Sequence, residues 1–281
     1  MTHSQDVPGR DVANQRRQGF YGAYTWGLES DTRVELDYLH TRQNNIEDKG
    51  LPFDREGFTG DRTGCDDPND NRVGRTGDQR CGDGFSTGDL PPGVDFSNYY
   101  GYVDEYQKIE VDQLGLAVEH ELNPKLSVRN KLRVSHVRND SVTSSPRIKV
   151  PEEAWGSGDF SQAVVQGDLK PRDQTDDSIF NQTDLLMNLE TGPVMHDLVL
   201  GTEIGYIDIE NDRRPDVKPS NLQTDLFDPE RRARPRAPYD GTTHQLELEQ
   251  GGLYALDTMA LSPQWDLHAG VRWDYVKATA T

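Results

Sequence analysis

Six arginines stand out in a chain whose formal net charge is -19: Arg213, Arg214, Arg231, Arg232, Arg234 and Arg236. Further upstream, Phe96, Tyr99, Tyr100, Tyr102 and Tyr106 make an aromatic cluster. Guanidinium groups beside aromatic rings suit a planar, anionic, aromatic ligand. The cation supplies charge and a flat face, and the ring supplies stacking. The candidate ligand-binding residues are therefore these six arginines together with Tyr99, Tyr100 and Tyr102. The competing reading is that the same side chains meet only solvent.

Bond-making chemistry finds little support. Gly84-Phe85-Ser86-Thr87-Gly88 fits the pattern of a nucleophile elbow, but that device needs a strand before the serine and a helix after it. Here it lies in an acidic, glycine-rich stretch, so no catalytic residue is assigned. Asp67-Pro68-Asn69-Asp70-Asn71 offers oxygen ligands at alternate positions, as a calcium loop does. Arg72 stands where the turn glycine is needed, and Asp78 replaces the closing glutamate, so a solvated loop is the better reading. The histidines are dispersed without zinc-ligand spacing, and no metal site is expected. Cys65 and Cys81 form a pair in a loop-like stretch, which fits a disulfide in an oxidising compartment. Closing such a loop stabilises by roughly 3 kcal/mol in the chain-entropy picture. Two unpaired surface thiols are the alternative.

The elements that must hold these loops are strands. A chain this acidic repels phosphate backbones, so nucleic acid is excluded as a partner. Mean hydropathy is -0.84, and no apolar run is long enough for a transmembrane helix. The apolar residues instead alternate. From Trp265 the odd positions read Trp265, Leu267, Ala269, Val271, Trp273 and Tyr275, against Asp266, His268, Gly270, Arg272 and Asp274. Period two with one apolar face predicts a strand. The same pattern predicts about eight strands, roughly 17–28, 32–44, 106–121, 126–140, 177–190, 196–210, 243–258 and 265–277. Parity changes near Asp112–Gln113, which predicts a β-bulge there, and Gly251-Gly252 predicts a second irregularity.

The connections alternate in length. Glu29–Asp31, Asn123–Lys125, Thr191–Val194 and Leu261–Pro263 mark short turns, while about 45–105, 141–176 and 211–242 are long. Short turns on one side and long loops on the other are the layout of an outer-membrane barrel. A tilted strand climbs roughly 2.5 Å per residue, so Trp265 and Tyr275 are separated by roughly 25 Å, the spacing of the two aromatic girdles. The fold class is thus all-β: an antiparallel transmembrane β-barrel segment of about eight sequential long strands forming an open curved sheet. In that setting the loop arginines and tyrosines can also meet lipopolysaccharide. A soluble β-sandwich, with its apolar faces buried against a second sheet, is the alternative.

Several segments resemble TonB-dependent siderophore receptors of the catecholate type. They are Asp6-Val7-Pro8-Gly9-Arg10-Asp11, Leu36-Asp37-Tyr38-Leu39 with Gly50-Leu51-Pro52-Phe53, and Leu132-Arg133 to Asn139-Asp140. They continue through Asn181-Gln182-Thr183-Asp184-Leu185, Gly201-Thr202-Glu203, Leu253-Tyr254-Ala255-Leu256-Asp257-Thr258 and Gly270-Val271-Arg272-Trp273-Asp274. The resemblance runs through the chain in order. It implies a 22-stranded barrel filled by a plug domain that contacts TonB. Residues 1–281 are then expected to be a partial receptor barrel domain, without signal peptide, plug or C-terminal strands.

The resemblance further implies TonB-dependent uptake of an iron–siderophore complex across the bacterial outer membrane. The expected partners are a ferric siderophore, the TonB system acting through the plug, and outer-membrane lipid and lipopolysaccharide. No cofactor is expected, since iron arrives inside the ligand. A passive porin and a soluble carbohydrate-binding β-protein are the alternative functions. Arg129, Lys131 and Arg133 form the kind of inward charge ladder that a porin would also show.

Overall fold

The computed structural model describes residues 2–52, 90–149, 160–212, 223–236 and 241–281. The two cysteines, Arg213, Arg214 and the two loop motifs around Ser86 and Asp70 lie outside the described residues. The strands are β1 (Thr2–Asp6), β2 (Asn14–Trp26), β3 (Thr32–Ile46), β4 (Tyr106–Asn123) and β5 (Leu126–Lys149). They continue with β6 (Val164–Thr191), β7 (Val194–Asp212), β8 (Gln223–Asp225), β9 (Thr243–Ser262) and β10 (Trp265–Ala280). All pair in one antiparallel sheet in sequential order, with β8 set aside as an extra strand on β6. The sheet is open and curved.

Alternation explains why these segments are strands and which way each side chain faces. Leu36, Leu116, Leu132 and Ile204 belong to one face, and Glu35, Ala117, Lys131, Gln182 and Glu203 to the other. The polar set lines a trough of about 660 Å³ together with Asp37, Gln113 and Arg133. The apolar set is uncovered: Leu36, Leu114, Val134, Ile179, Leu200, Ile204, Leu253 and Val271 are all exposed. A soluble sandwich would bury these residues against a second sheet. Among the described residues, the buried apolar clusters involve only loop residues and the outer ends of β5 and β6. A sheet whose mid-strand apolar face lacks a protein partner fits lipid on that side and a polar lumen on the other.

One feature of the lipid-facing surface departs from this rule. Asn130 and Thr183 are paired in register in the middle of the band, with Asn181 two residues along on the same face. Asn130 Nδ2 donates to Asn181 Oδ1 at 3.0 Å and to Thr183 Oγ1 at 2.8 Å, and Asn181 Nδ2 donates back to Asn130 Oδ1 at 3.1 Å. The amides satisfy each other, which is the condition for placing polar groups against hydrocarbon.

Three turns are two residues long, at 124–125, 192–193 and 263–264, and a fourth runs from 27 to 31. Gly27 adopts φ 74°, and a Cβ there would lie 2.0 Å from the Thr32 carbonyl oxygen, so only glycine fits.

Three expectations need correction. The bulge near Asp112–Gln113 is not found: β4 keeps continuous register there with both β3 and β5, and the shift lies between Glu121 and Asn123. Ile109 and Val111 simply face the lumen above the membrane band, so the parity change reflects a change of surroundings and not a slipped backbone. Register is likewise unbroken through Gly251-Gly252, and the irregularity of that hairpin is between Trp265 and Asp266. Finally, much of 141–176 is strand. β5 and β6 form a ribbon that continues past the last rung with β4 at Tyr106 and with β7 at Asn211. Pro146 and Pro171 sit in this extension, where the missing donor does not interrupt a second barrel ladder.

Candidate functional site

The loop layer is built on the β5–β6 ribbon. Val142, Ile148, Val165 and Leu169 share the parity of the lipid-facing set, but they lie beyond the band and need another cover. Segments 90–105 and 223–236 supply it. Val94, Tyr100, Phe160, Ala163, Val165 and Leu226 form one buried cluster, with Ile148 packed against it. Tyr102, Val142 and Leu169 form a second, with Tyr106 alongside.

The structure brings the predicted tyrosines and part of the arginine cluster together. The Arg232 guanidinium lies 5.1 Å from the centre of the Tyr102 ring, and Arg234 lies 5.3 Å from that of Tyr106. Lys108 approaches the Tyr106 ring to 4.8 Å. The two segments are also joined through their backbones. Val103 N–H donates to the Arg232 carbonyl at 3.1 Å, and Arg234 N–H donates to Asp104 Oδ1 at 2.7 Å. Arg232 Nη1 donates to the Gln223 carbonyl at 2.5 Å. Tyr100 Oη donates to the Leu226 carbonyl at 2.6 Å.

This packing changes the part these residues can play. Tyr99, Tyr100 and Tyr102 are 8%, 2% and 0% exposed, so their faces are already covered. Arg232 and Arg234 are engaged in stitching the two segments. In this arrangement they are positioning residues. Arg231 and Arg236 are exposed, with Arg231 3.2 Å from Asp11, and Phe96 is an exposed aromatic at the rim.

Glu105 is the hub of the layer and was not singled out by sequence reasoning. It is 2% exposed. Its Oε1 accepts from Tyr102 N–H at 2.7 Å, and its Oε2 accepts from Ser144 N–H at 2.9 Å and from Tyr99 Oη at 3.5 Å. Burial pushes its carboxyl above the usual range, against the opposing pull of these donors. Burial also raises the Tyr99 and Tyr100 phenols, and moves the Tyr102 phenol up to about 12 although Arg232 lies over it.

The lumenal wall is the other candidate surface. At mid-strand Asp184 is 1% exposed and accepts from Arg129 Nη2 at 2.9 Å, from Gln182 Nε2 at 3.0 Å and from the Tyr254 hydroxyl. Gly201 opposes Tyr254 in register, and a Cβ there would overlap the tyrosine ring. Higher on the same face, Asn139, Ser141, Thr143, Lys170 and Arg172 line a basin of about 520 Å³. The signal that could have located both is the polar half of the alternation, which is harder to weigh because polar residues also face solvent.

Among the described residues no group of three or more His, Cys, Asp or Glu side chains could hold a metal ion. Among the described residues no helix is long and apolar enough to cross a membrane, which says nothing about crossing with strands.

Comparison with known proteins agrees with this architecture. The catecholate siderophore receptor Fiu of Escherichia coli is 24% identical over 279 residues, covering 97% of this chain and 34% of the relative. The probable TonB-dependent receptor BfrD of Bordetella pertussis is 28% identical over 291 residues, covering 97% of this chain and 35% of its own length. The chain therefore spans about a third of these relatives. In three dimensions it matches the open form of the ferric-catecholate import receptor Fiu of E. coli with a TM-score of 0.79 at 22% identity, over 99% of this chain and 40% of that one. The siderophore receptor PiuA of Acinetobacter baumannii matches at 0.73 and 20% identity, over 99% and 38%. The family model described as TonB dependent receptor-like, beta-barrel matches residues 25–281, and the chain belongs to that family.

Proposed function

We propose that this chain forms part of the barrel wall of a bacterial outer-membrane receptor that imports an iron–siderophore complex of the catecholate type. The observation that carries the reading is the pairing of an outward apolar face with an inward polar trough, in a chain similar to a catecholate siderophore receptor over 97% of its length. Energy would come from the TonB system through the plug domain that the resemblance implies. The wall binds and admits; nothing in the site calls for bond chemistry, and iron is cargo carried by the ligand.

The level of the membrane boundary supports an outer-membrane position. His40, Asp112, His136, Asp177 and Asp208 occupy one register row on the outward face. The row directly below holds Tyr38, Leu114, Val134, Ile179 and Tyr206. A row of ionisable groups above aromatic and apolar residues suits the headgroup level, where lipopolysaccharide would be met. In the loops, Arg231, Arg236 and Phe96 are the groups exposed to an arriving anion. Tyr99, Tyr100, Tyr102, Arg232 and Arg234 act by holding the loop layer in shape.

The test is a titration of the complete gene product in detergent micelles, following tryptophan fluorescence. A ferric catecholate is expected to quench at low concentration, and a ferric hydroxamate only weakly. Equal quenching by both, or by neither, would remove the catecholate assignment.

A further inference from the structure

The polar patch on the lipid-facing surface is larger than the asparagine pair. Asn130 pairs with Thr183 across β5 and β6, and Thr183 pairs with Thr202 across β6 and β7. Three polar residues thus share one outward row, with Asn181 two residues above Thr183. At a climb of roughly 2.5 Å per residue, Thr202 lies roughly 10 Å below Tyr206 and roughly 20 Å above the turn at Val194. That depth is hydrocarbon, where no water completes a hydrogen bond.

The hydrogen bonds within the patch do not use every group. Asn130 Nδ2 donates twice, to Asn181 Oδ1 and to Thr183 Oγ1. Asn181 Nδ2 donates only to Asn130 Oδ1, so its second N–H is left over. Among the described residues the hydroxyl of Thr202 makes no hydrogen bond, and Thr202 is exposed. Beside it on β9, Gly251 pairs with Ile204 and Ala255 pairs with Leu200, so two small residues leave low ground next to the patch. Lower on the same face, Asp257 is held by His196 at 2.7 Å, and its charge is met within the chain.

A partner for this patch has to satisfy two conditions. It must offer groups that both donate and accept, and it must hold them at the same depth in the bilayer. Acyl chains offer no such groups. A second copy of the barrel satisfies both conditions. Amides and hydroxyls are donors and acceptors at once, so the patch is complementary to itself. Two copies inserted in the same sense can be related only by a two-fold axis along the bilayer normal, and that axis brings like depths together. Polar side chains are known to join membrane-spanning segments in this way, and small residues beside them allow close approach.

We propose that the outward patch of Asn130, Asn181, Thr183 and Thr202 is the contact through which two copies of this barrel pair side by side in the membrane. The membrane setting rests on the outer-membrane reading; the place of the contact rests on the register.

The experiment uses the complete gene product in its own outer membrane, with a photo-crosslinking residue placed at Leu253, the register partner of Thr202. Illumination is expected to give a product of twice the receptor mass that contains receptor peptides only. The double substitution Asn130→Leu with Asn181→Leu is expected to weaken pairing roughly 10-fold, as the loss of two symmetry-related hydrogen bonds would. Thr202→Val, at an exposed position, is expected to act in the same direction and serves if the double variant does not fold. Leu36→Ala, on the same face but four strands away, is expected to leave the yield unchanged, which a general loss of barrel stability would not. Heat-modifiable gel migration checks that each barrel is folded. A receptor found in the outer membrane that crosslinks only to lipid or to a different protein refutes the pairing and leaves the uptake reading intact. So does a dimer whose yield is unmoved by the polar substitutions, or lowered as much by Leu36→Ala. A receptor that never reaches the outer membrane removes the membrane reading, and the pairing goes with it.

Discussion

Replacing Glu105 by alanine removes the two carboxylate oxygens that accept three hydrogen bonds in the loop layer. Tyr102 N–H, Ser144 N–H and the Tyr99 hydroxyl all lose their partner. Each buried donor left unsatisfied costs about 1–3 kcal/mol, and partial relaxation recovers some of it, so the local loss is roughly 2–4 kcal/mol. That corresponds to roughly 30- to 1,000-fold faster amide exchange at Tyr102 and Ser144. The glutamine variant keeps one acceptor but turns an amide N–H toward the other donor, so its exchange should be intermediate. Because burial raises the Glu105 carboxyl in the folded loop, the folded form holds the proton more tightly than the unfolded one. Loop stability from this group is then fully present below the ordinary glutamate value and declines as pH rises through the elevated one. After correction for intrinsic rates, opening free energies should fall with pH in the native protein and lose that slope in Glu105→Gln. Heat-modifiable gel migration checks that the barrel itself is intact. Unchanged exchange in Glu105→Ala would mean that the loop layer does not depend on this hub, and the positioning role assigned to its tyrosines would go with it.

The remaining predictions concern the wall. Asn130→Leu alone should destabilise the barrel by about 1–2 kcal/mol, since Asn181 is left facing lipid unpaired, whereas Asn130→Leu with Asn181→Leu should be close to neutral or stabilising. Urea unfolding in lipid vesicles gives the cycle, and additive losses would contradict the reciprocal pair. Leu132→Lys on the lipid face should cost roughly 2–4 kcal/mol in the same assay, and Lys131→Leu on the lumenal face much less; similar costs would mean that the two faces are wrongly assigned. Asp184→Ala strips Arg129, Gln182 and Tyr254 of a common acceptor and should cost roughly 2–4 kcal/mol, with Asp184→Asn losing less.

The eight long strands were readable because their alternation is enforced by lipid on one side and water on the other. Trp265 to Tyr275 is the clearest case, and its partner rows on β9 follow in register. Where lipid ends, the rule weakens. Ser141 to Lys149 and Val164 to Asp176 contain prolines and few apolar residues, yet they pair as a ribbon because loops cover one face. The short strands β1 and β8 exist only through their neighbours, and five or three residues carry too little pattern to be seen alone. The tyrosines and arginines were identifiable as a group by composition. Their burial was not, because it depends on segment 223–236 packing against segment 96–106, far apart in sequence. Glu105 looked like one acid among many until its donors converged on it.

Uptake by living cells tests the function most directly. In an iron-starved strain deleted for the complete gene and then complemented, radioactive iron offered as its ferric catecholate should enter only when the gene is restored and TonB is functional. Entry that continues in the deletion strain, or that persists after complementation without TonB, would contradict a TonB-driven siderophore receptor and favour a passive channel.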